Sequence, residues 1–77
     1  MKNIMSKNIL RLRKEKGYTQ KKLADLMQVS AQAISKWETG QSYPDIELLP
    51  RLTDVLETNI DTLLGHIPGD NKKTIYS

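Results

Sequence analysis

Seventy-seven residues without a cysteine make one small domain that has neither a disulfide nor a thiolate metal site as a staple, so stability must come from one compact core. No apolar stretch approaches the roughly 20 residues that span a bilayer, and the opening MKNIMSKNILRLRKEKG lacks the features of a secretory signal, so a cytoplasmic protein with no membrane partner is expected. The net charge of +3 conceals an asymmetry: residues 1–22 hold eight Lys or Arg against Glu15 alone (+7), and residues 23–71 hold Lys36 and Arg51 against eight carboxylates (−6), before Lys72 and Lys73. A basic end on an otherwise acidic chain suits an oriented approach to a polyanion. It equally suits a solvated helix face, with Lys14 and Lys16 complementing the negative end of a first helix.

Five apolar-periodic pieces follow one another with no strand-like alternation, which predicts an all-α fold. The first runs from about Ser6 to Lys16, carries Ile9 and Leu12 on one face, and stops at Gly17. Thr19 is placed as the N-cap of a second helix, Gln20 to Met27, whose inner stripe is Leu23, Ala24 and Met27. Gln28, Val29 and Ser30 form a short turn, and Ser30 caps a third helix from Ala31 to about Thr39, ending at Gly40 with Ile34 and Trp37 buried. After the loop from Gln41 to Pro44, Asp45 caps a fourth helix, Ile46 to about Glu57, with Ile46, Leu49, Leu52 and Leu56 inward. Pro50 there predicts a kink or an irregular first turn, because its ring crowds the carbonyl of Ile46. Asn59 caps a last short helix carrying Ile60, Leu63 and Leu64 and ending at Gly65. The expected organisation is one domain over residues 1–65, then a flexible tail or linker over 66–77.

The second and third helices carry the informative constellation. Ala24 sits where two steeply crossing helices come closest, and Val29 fills the corner. Ile34 and Trp37, three apart, anchor the third helix and turn Ala31, Gln32, Ser35 and Lys36 to the opposite side. Glutamine can pair with both N6 and N7 of adenine, alanine can meet the thymine methyl, and lysine can donate to guanine or reach a phosphate, so this short face suits a DNA major groove. It also suits plain solvent. Gln20 and Lys21 open the second helix and Ser30 caps the third, where free N–H groups and a positive dipole end can receive phosphates.

The run TQKKLADLMQVSAQAISKWETGQSYPDIELL, with RLRKEKGYTQ before it, resembles the Cro and lambda-repressor-like (Xre-type) helix-turn-helix family over Ile9 to Leu64. The resemblance implies a compact five-helix domain whose second and third helices read DNA. It implies base-edge contacts from Ala31, Gln32, Ser35 and Lys36, and backbone contacts from the loop residues Thr39, Gln41, Ser42 and Tyr43. For Gln20 it implies a phosphate contact and side-chain support of the third helix. It also implies a structural pair between Arg13 and Glu38, whose loss should look like unfolding. Two departures stand out. Gln28 occupies a left-handed turn position where the family often has Gly, and Thr53 and Thr58 bring hydroxyls near the core, each expected to bond a carbonyl one turn back.

No Ser/His/Asp or Cys/His set and no Gly-rich phosphate loop after a strand is present, and His66 stands alone as a surface residue. No enzyme activity, metal site or cofactor is therefore expected. The function expected is sequence-specific transcriptional regulation, as a repressor, by a homodimer on a palindromic double-stranded operator, with Leu64, Ile60 and the tail as candidate dimer contacts. The alternative is an interaction module such as the antitoxin of a toxin–antitoxin pair, whose main partner is a protein. The chain could also be the N-terminal part of a longer regulator.

Overall fold

The computed structural model describes residues 4–65. The expected tail over 66–77, His66 within it, and the first three residues lie outside the described residues. Five α-helices are present, with no strand among the described residues, so the all-α expectation holds. They are α1 (Ile4–Glu15), α2 (Gln20–Met27), α3 (Ala31–Thr39), α4 (Leu49–Leu56) and α5 (Ile60–Leu64). A 3₁₀ turn (Ile46–Leu48) precedes α4. α1 packs on α3 and α5, and α2 packs on α3 and α4, so α3 lies against both α1 and α2.

α1 starts earlier than expected because Met5 extends the apolar stripe backward by a turn and packs on the core. Ser6 is consequently an interior residue, fully buried beside Ile9 and Leu12, and does not open the helix. Gly17 ends the run with φ +77°, and the next N–H, of Tyr18, reaches back to the Arg13 carbonyl. Ile9, Leu23, Met27, Ile34, Leu52, Leu56 and Leu63 form the fully buried centre. Each such side chain gains about 1.5–3 kcal/mol by leaving water.

The caps follow the sequence closely in α2, α3 and α5. Thr19 Oγ1 accepts from the Lys22 N–H at 3.0 Å, Ser30 Oγ from Ala33 at 3.1 Å, and Asn59 Oδ1 from Thr62 at 2.7 Å. At the other end of α2, Gln28 adopts the left-handed conformation with φ 62°, as the turn requires. Glu57 ends α4 the same way with φ 55°, a second strained position that sequence reading did not single out.

The entry to α4 needs correction. Asp45 makes no side-chain cap, and Ile46 is 80% exposed instead of inward. The tighter 3₁₀ pitch shifts the phase of the chain, so Leu48 and Leu49 take the packing positions and Ile46 swings out. Pro50 then falls in the first turn of α4, where a missing N–H costs nothing. The irregular first turn expected from Pro50 is therefore this 3₁₀ segment. Thr53 Oγ1 donates to the Pro50 carbonyl at 2.9 Å, one turn back. Thr58 lies past the end of α4, outside one-turn-back geometry, and its backbone N–H is the group that reaches the Thr53 carbonyl.

Candidate nucleic-acid interface

α2 and α3 meet through small and apolar groups. Ala24 is 3% exposed, and half-buried Val29 packs against the core while its N–H closes back on the Ala24 carbonyl at 3.0 Å. Ile34 is completely buried and Trp37 nearly so, which anchors α3 along its inner face. The other face shows Ala31, Gln32 and Lys36 to solvent, with Ser35 half-buried at its edge. Lys36 forms no ion pair among the described residues. α3 ends where Gly40, at φ +84°, lets the chain reverse so that the Gln41 N–H bonds the Lys36 carbonyl at 2.9 Å.

The residues expected near phosphates fall in two groups along the chain. At the helix starts, Gln20 is half-buried and Lys21 and Ser30 are exposed. Ser30 Oγ accepts the cap bond from Ala33, and a hydroxyl that accepts keeps its own O–H as a donor. In the loop, Thr39, Gln41 and Tyr43 are exposed and Ser42 is half-buried. Thr39 Oγ1 turns back to donate to the Lys36 carbonyl at 3.3 Å.

On the inner side of α3, buried Glu38 is the centre of a polar triad with Arg13 and Gln20. Arg13 donates through Nε and Nη2 to the two carboxylate oxygens of Glu38, the second bond at 3.1 Å. Arg13 Nη1 also holds the Tyr18 carbonyl at 2.8 Å. Gln20 Nε2 donates to Glu38 Oε1 at 2.9 Å. One carboxylate thus ties α1 and the first residue of α2 to the last turn of α3.

Three further ties escape sequence inspection. Asn8 Nδ2 donates to the carbonyls of Thr62 and Leu63, capping α5 from α1 at 3.1 and 3.0 Å. Tyr18 donates to the Val55 carbonyl at 3.4 Å. Lys16 pairs with Glu57 at 2.6 Å, and that hydrogen bond with the carboxylate charge holds the ammonium above the usual 10.5 despite opposing desolvation. The partners are 37 to 55 residues apart in the first two cases, so no local spacing signals them.

These contacts also change the meaning of the basic N-terminal stretch. Arg13 and Lys16 face Glu38 and Glu57, while Arg11 faces Glu15 and Lys21 faces Asp25 one turn on. Half of the eight cations of residues 1–22 are thereby engaged within the fold. The two one-turn pairs are exposed and weak, and Lys7, Lys14 and Lys22 remain on the solvent side.

Two helices joined by a tight turn, the second anchored by its inner face and open on its outer face, define a helix-turn-helix domain. A family model described as helix-turn-helix matches residues 9–63. The HTH-type transcriptional activator BcrR of Enterococcus faecalis is 41% identical over 60 residues, covering 78% of this chain and 29% of that protein. The P22 c2 repressor, solved in complex with a synthetic operator, superimposes with a TM-score of 0.78 at 32% identity, covering 84% of this chain and 98% of that one. The regulator SinR, solved in complex with DNA, gives 0.71 at 33% identity, covering 78% and 97%. The chain belongs to the helix-turn-helix family, in its Cro and lambda-repressor-like branch. It spans less than a third of the length of BcrR.

Proposed function

We propose that the chain is a sequence-specific DNA-binding transcriptional regulator that places α3 in the major groove of an operator. The observation that carries this reading is the division of α3: Ile34 at 0% and Trp37 at 5% exposure face the core, leaving Ala31, Gln32, Ser35 and Lys36 for base edges. The free N–H groups at the starts of α2 and α3 supply phosphate anchors, together with Gln20, Lys21 and Ser30. Thr39, Gln41, Ser42 and Tyr43 follow the backbone from the loop. Arg13 and Glu38 act as the structural pair that holds α1 to α3.

The work is binding, carried out on the chromosome in the cytoplasm, and no covalent chemistry is assigned to any residue. No described helix is long and apolar enough to cross a membrane. Repression is favoured because the operator-bound chain on which this fold superimposes at a TM-score of 0.78 is a repressor. One recognition helix touches few base pairs, so we place two copies on a palindrome, with half-sites about 34–36 Å apart along the duplex.

Selection of bound duplexes from a random pool at physiological salt tests the reading. Enrichment of one palindromic sequence is expected. A pool that stays random after repeated rounds contradicts DNA recognition, and an asymmetric single site contradicts the dimer.

A further inference from the structure

α5 is five residues long, far below the roughly 12–15 at which an isolated helix begins to hold in water. It is held from outside. Asn8 Nδ2 donates to the carbonyls of Thr62 and Leu63, two acceptors in the last turn of α5. A carbonyl cannot donate, so only the amino end of the Asn8 amide can face them. The other end is engaged as well: Arg11 Nη2 reaches Asn8 Oδ1 at 3.5 Å, and Arg11 Nη1 is held by Glu15 at 2.9 Å. Both ends of the amide thus have partners within the fold, and α1 fixes how α5 lies. Just beyond, Gly65 turns the chain at φ +91°, and a Cβ there would collide with the Ile4 side chain. Asn8 and Gly65 together seat α5 against the start of α1.

Six large apolar side chains are exposed among the described residues, and three of them, Ile4, Ile60 and Leu64, belong to this junction. Ile60 and Leu64, four apart, share one face of α5, and Ile4 stands at its Gly65 end. Resting on the DNA-binding reading above, we infer that Asn8 is a positioning residue for the pairing of two copies: it seats α5 so that Ile4, Ile60 and Leu64 form one apolar face against a second copy of this chain. The size of the face selects the occupant. Stable interfaces bury about 800 Å² per partner, more than three partly exposed side chains supply, so a partner arriving from solution gains too little to stay. A second copy on the other half of a palindrome arrives at high effective concentration, where a small contact suffices. An apolar face also meets itself across a two-fold axis without charge repulsion. Asn8 touches neither DNA nor the second copy; it acts through α5.

The test uses the full chain, a duplex carrying the selected palindrome, and one carrying a single half-site. Wild type, Asn8→Asp, Leu64→Ser and the double variant are compared, each corrected for its folded fraction. Cooperativity is read as the palindrome affinity relative to the half-site affinity. Asn8→Asp sets an acceptor against two acceptors and so unseats the end of α5. It is expected to keep half-site affinity within about twofold of wild type and to lose about tenfold in cooperativity, the worth of one apolar side chain at an interface. Leu64→Ser is expected to lose a comparable factor, and the double variant no more than Leu64→Ser alone. Wild-type cooperativity in folded Asn8→Asp, equal losses on half-site and palindrome, or losses that multiply in the double variant would overturn the inference.

Should Asn8→Asp fail to fold, Asn8→Ala, which removes the amide without adding charge, takes its place. The methyl resonances of Ile4, Ile60 and Leu64 in wild type give a second readout: shifts on the palindrome that the half-site does not produce support the face, and identical spectra on both duplexes rule it out. A chain that selects no duplex removes the DNA-binding reading and this inference together. Cooperative binding to a palindrome that is indifferent to Asn8 and Leu64 removes this inference alone.

Discussion

A buried carboxylate survives only where its desolvation is offset by donors. Glu38 meets that condition through Arg13 and Gln20, with side-chain exposures of 11% for Arg13 and 4% for Glu38. Removing Arg13 leaves the carboxylate without its counter-charge, a change that typically costs about 3–5 kcal/mol. Arg13→Ala should therefore lower the unfolding free energy read from urea titration by an amount of that order, and a value within about 0.5 kcal/mol of wild type, on the scale of ordinary surface changes, would show that the pair is not structural. Gln28 is a different kind of residue-scale feature. Its φ of 62° places a Cβ in a region that costs an L-residue about 1–2 kcal/mol. Glycine relieves that cost at some loss to unfolded-state entropy, so Gln28→Gly is expected to raise stability by roughly 0.5–1 kcal/mol in a thermal melt. A lower melting temperature would mean that the Gln28 side chain contributes more than the turn strains.

At the scale of elements, the α2–α3 crossing decides how α3 is presented. Ala24 is buried at 3% exposure, and Val29 closes the corner. Ala24→Leu should push the helices apart and cost roughly 1–3 kcal/mol by overpacking, read by urea unfolding; wild-type stability there would mean that the crossing is looser than the burial indicates. Where the sequence speaks plainly, it does so through local chemistry. Thr19, Ser30 and Asn59 are legible as caps because each acts on an N–H three residues on, and Ile34 with Trp37 is legible as an inner stripe because helical period is local. The turn around Pro50 was legible only in part. A proline marks irregularity, but the choice of a 3₁₀ pitch depends on Leu48 and Leu49 packing on the core, and so Ile46 was misplaced. The ties from Asn8, Tyr18 and Lys16 were not legible at all, since they join residues brought together only by the completed bundle. The Arg13–Glu38 pair became an expectation only through family resemblance, for the same reason.

Taken whole, the molecule pairs half of the cations of its basic N-terminal stretch with its own carboxylates, and only the Arg13–Glu38 pair among them is buried. Phosphate binding must then come from few cations, chiefly Lys22 and Lys36, with Lys21 exchanging its exposed pair with Asp25 for a phosphate, aided by helix N-termini. The log of the affinity should fall with the log of salt at a slope near −0.9 per phosphate neutralised, and a complex insensitive to salt would contradict the proposed anchors. The central claim is narrower: the outer face of α3 reads bases. Its most direct test is the ratio of affinities for the selected duplex and for a scrambled one, measured for Gln32→Ala and Lys36→Ala at fixed salt. Each substitution is expected to reduce that ratio by about 1–3 kcal/mol while leaving the melting temperature in place. If both variants discriminate as wild type does, α3 is not the element that reads the sequence.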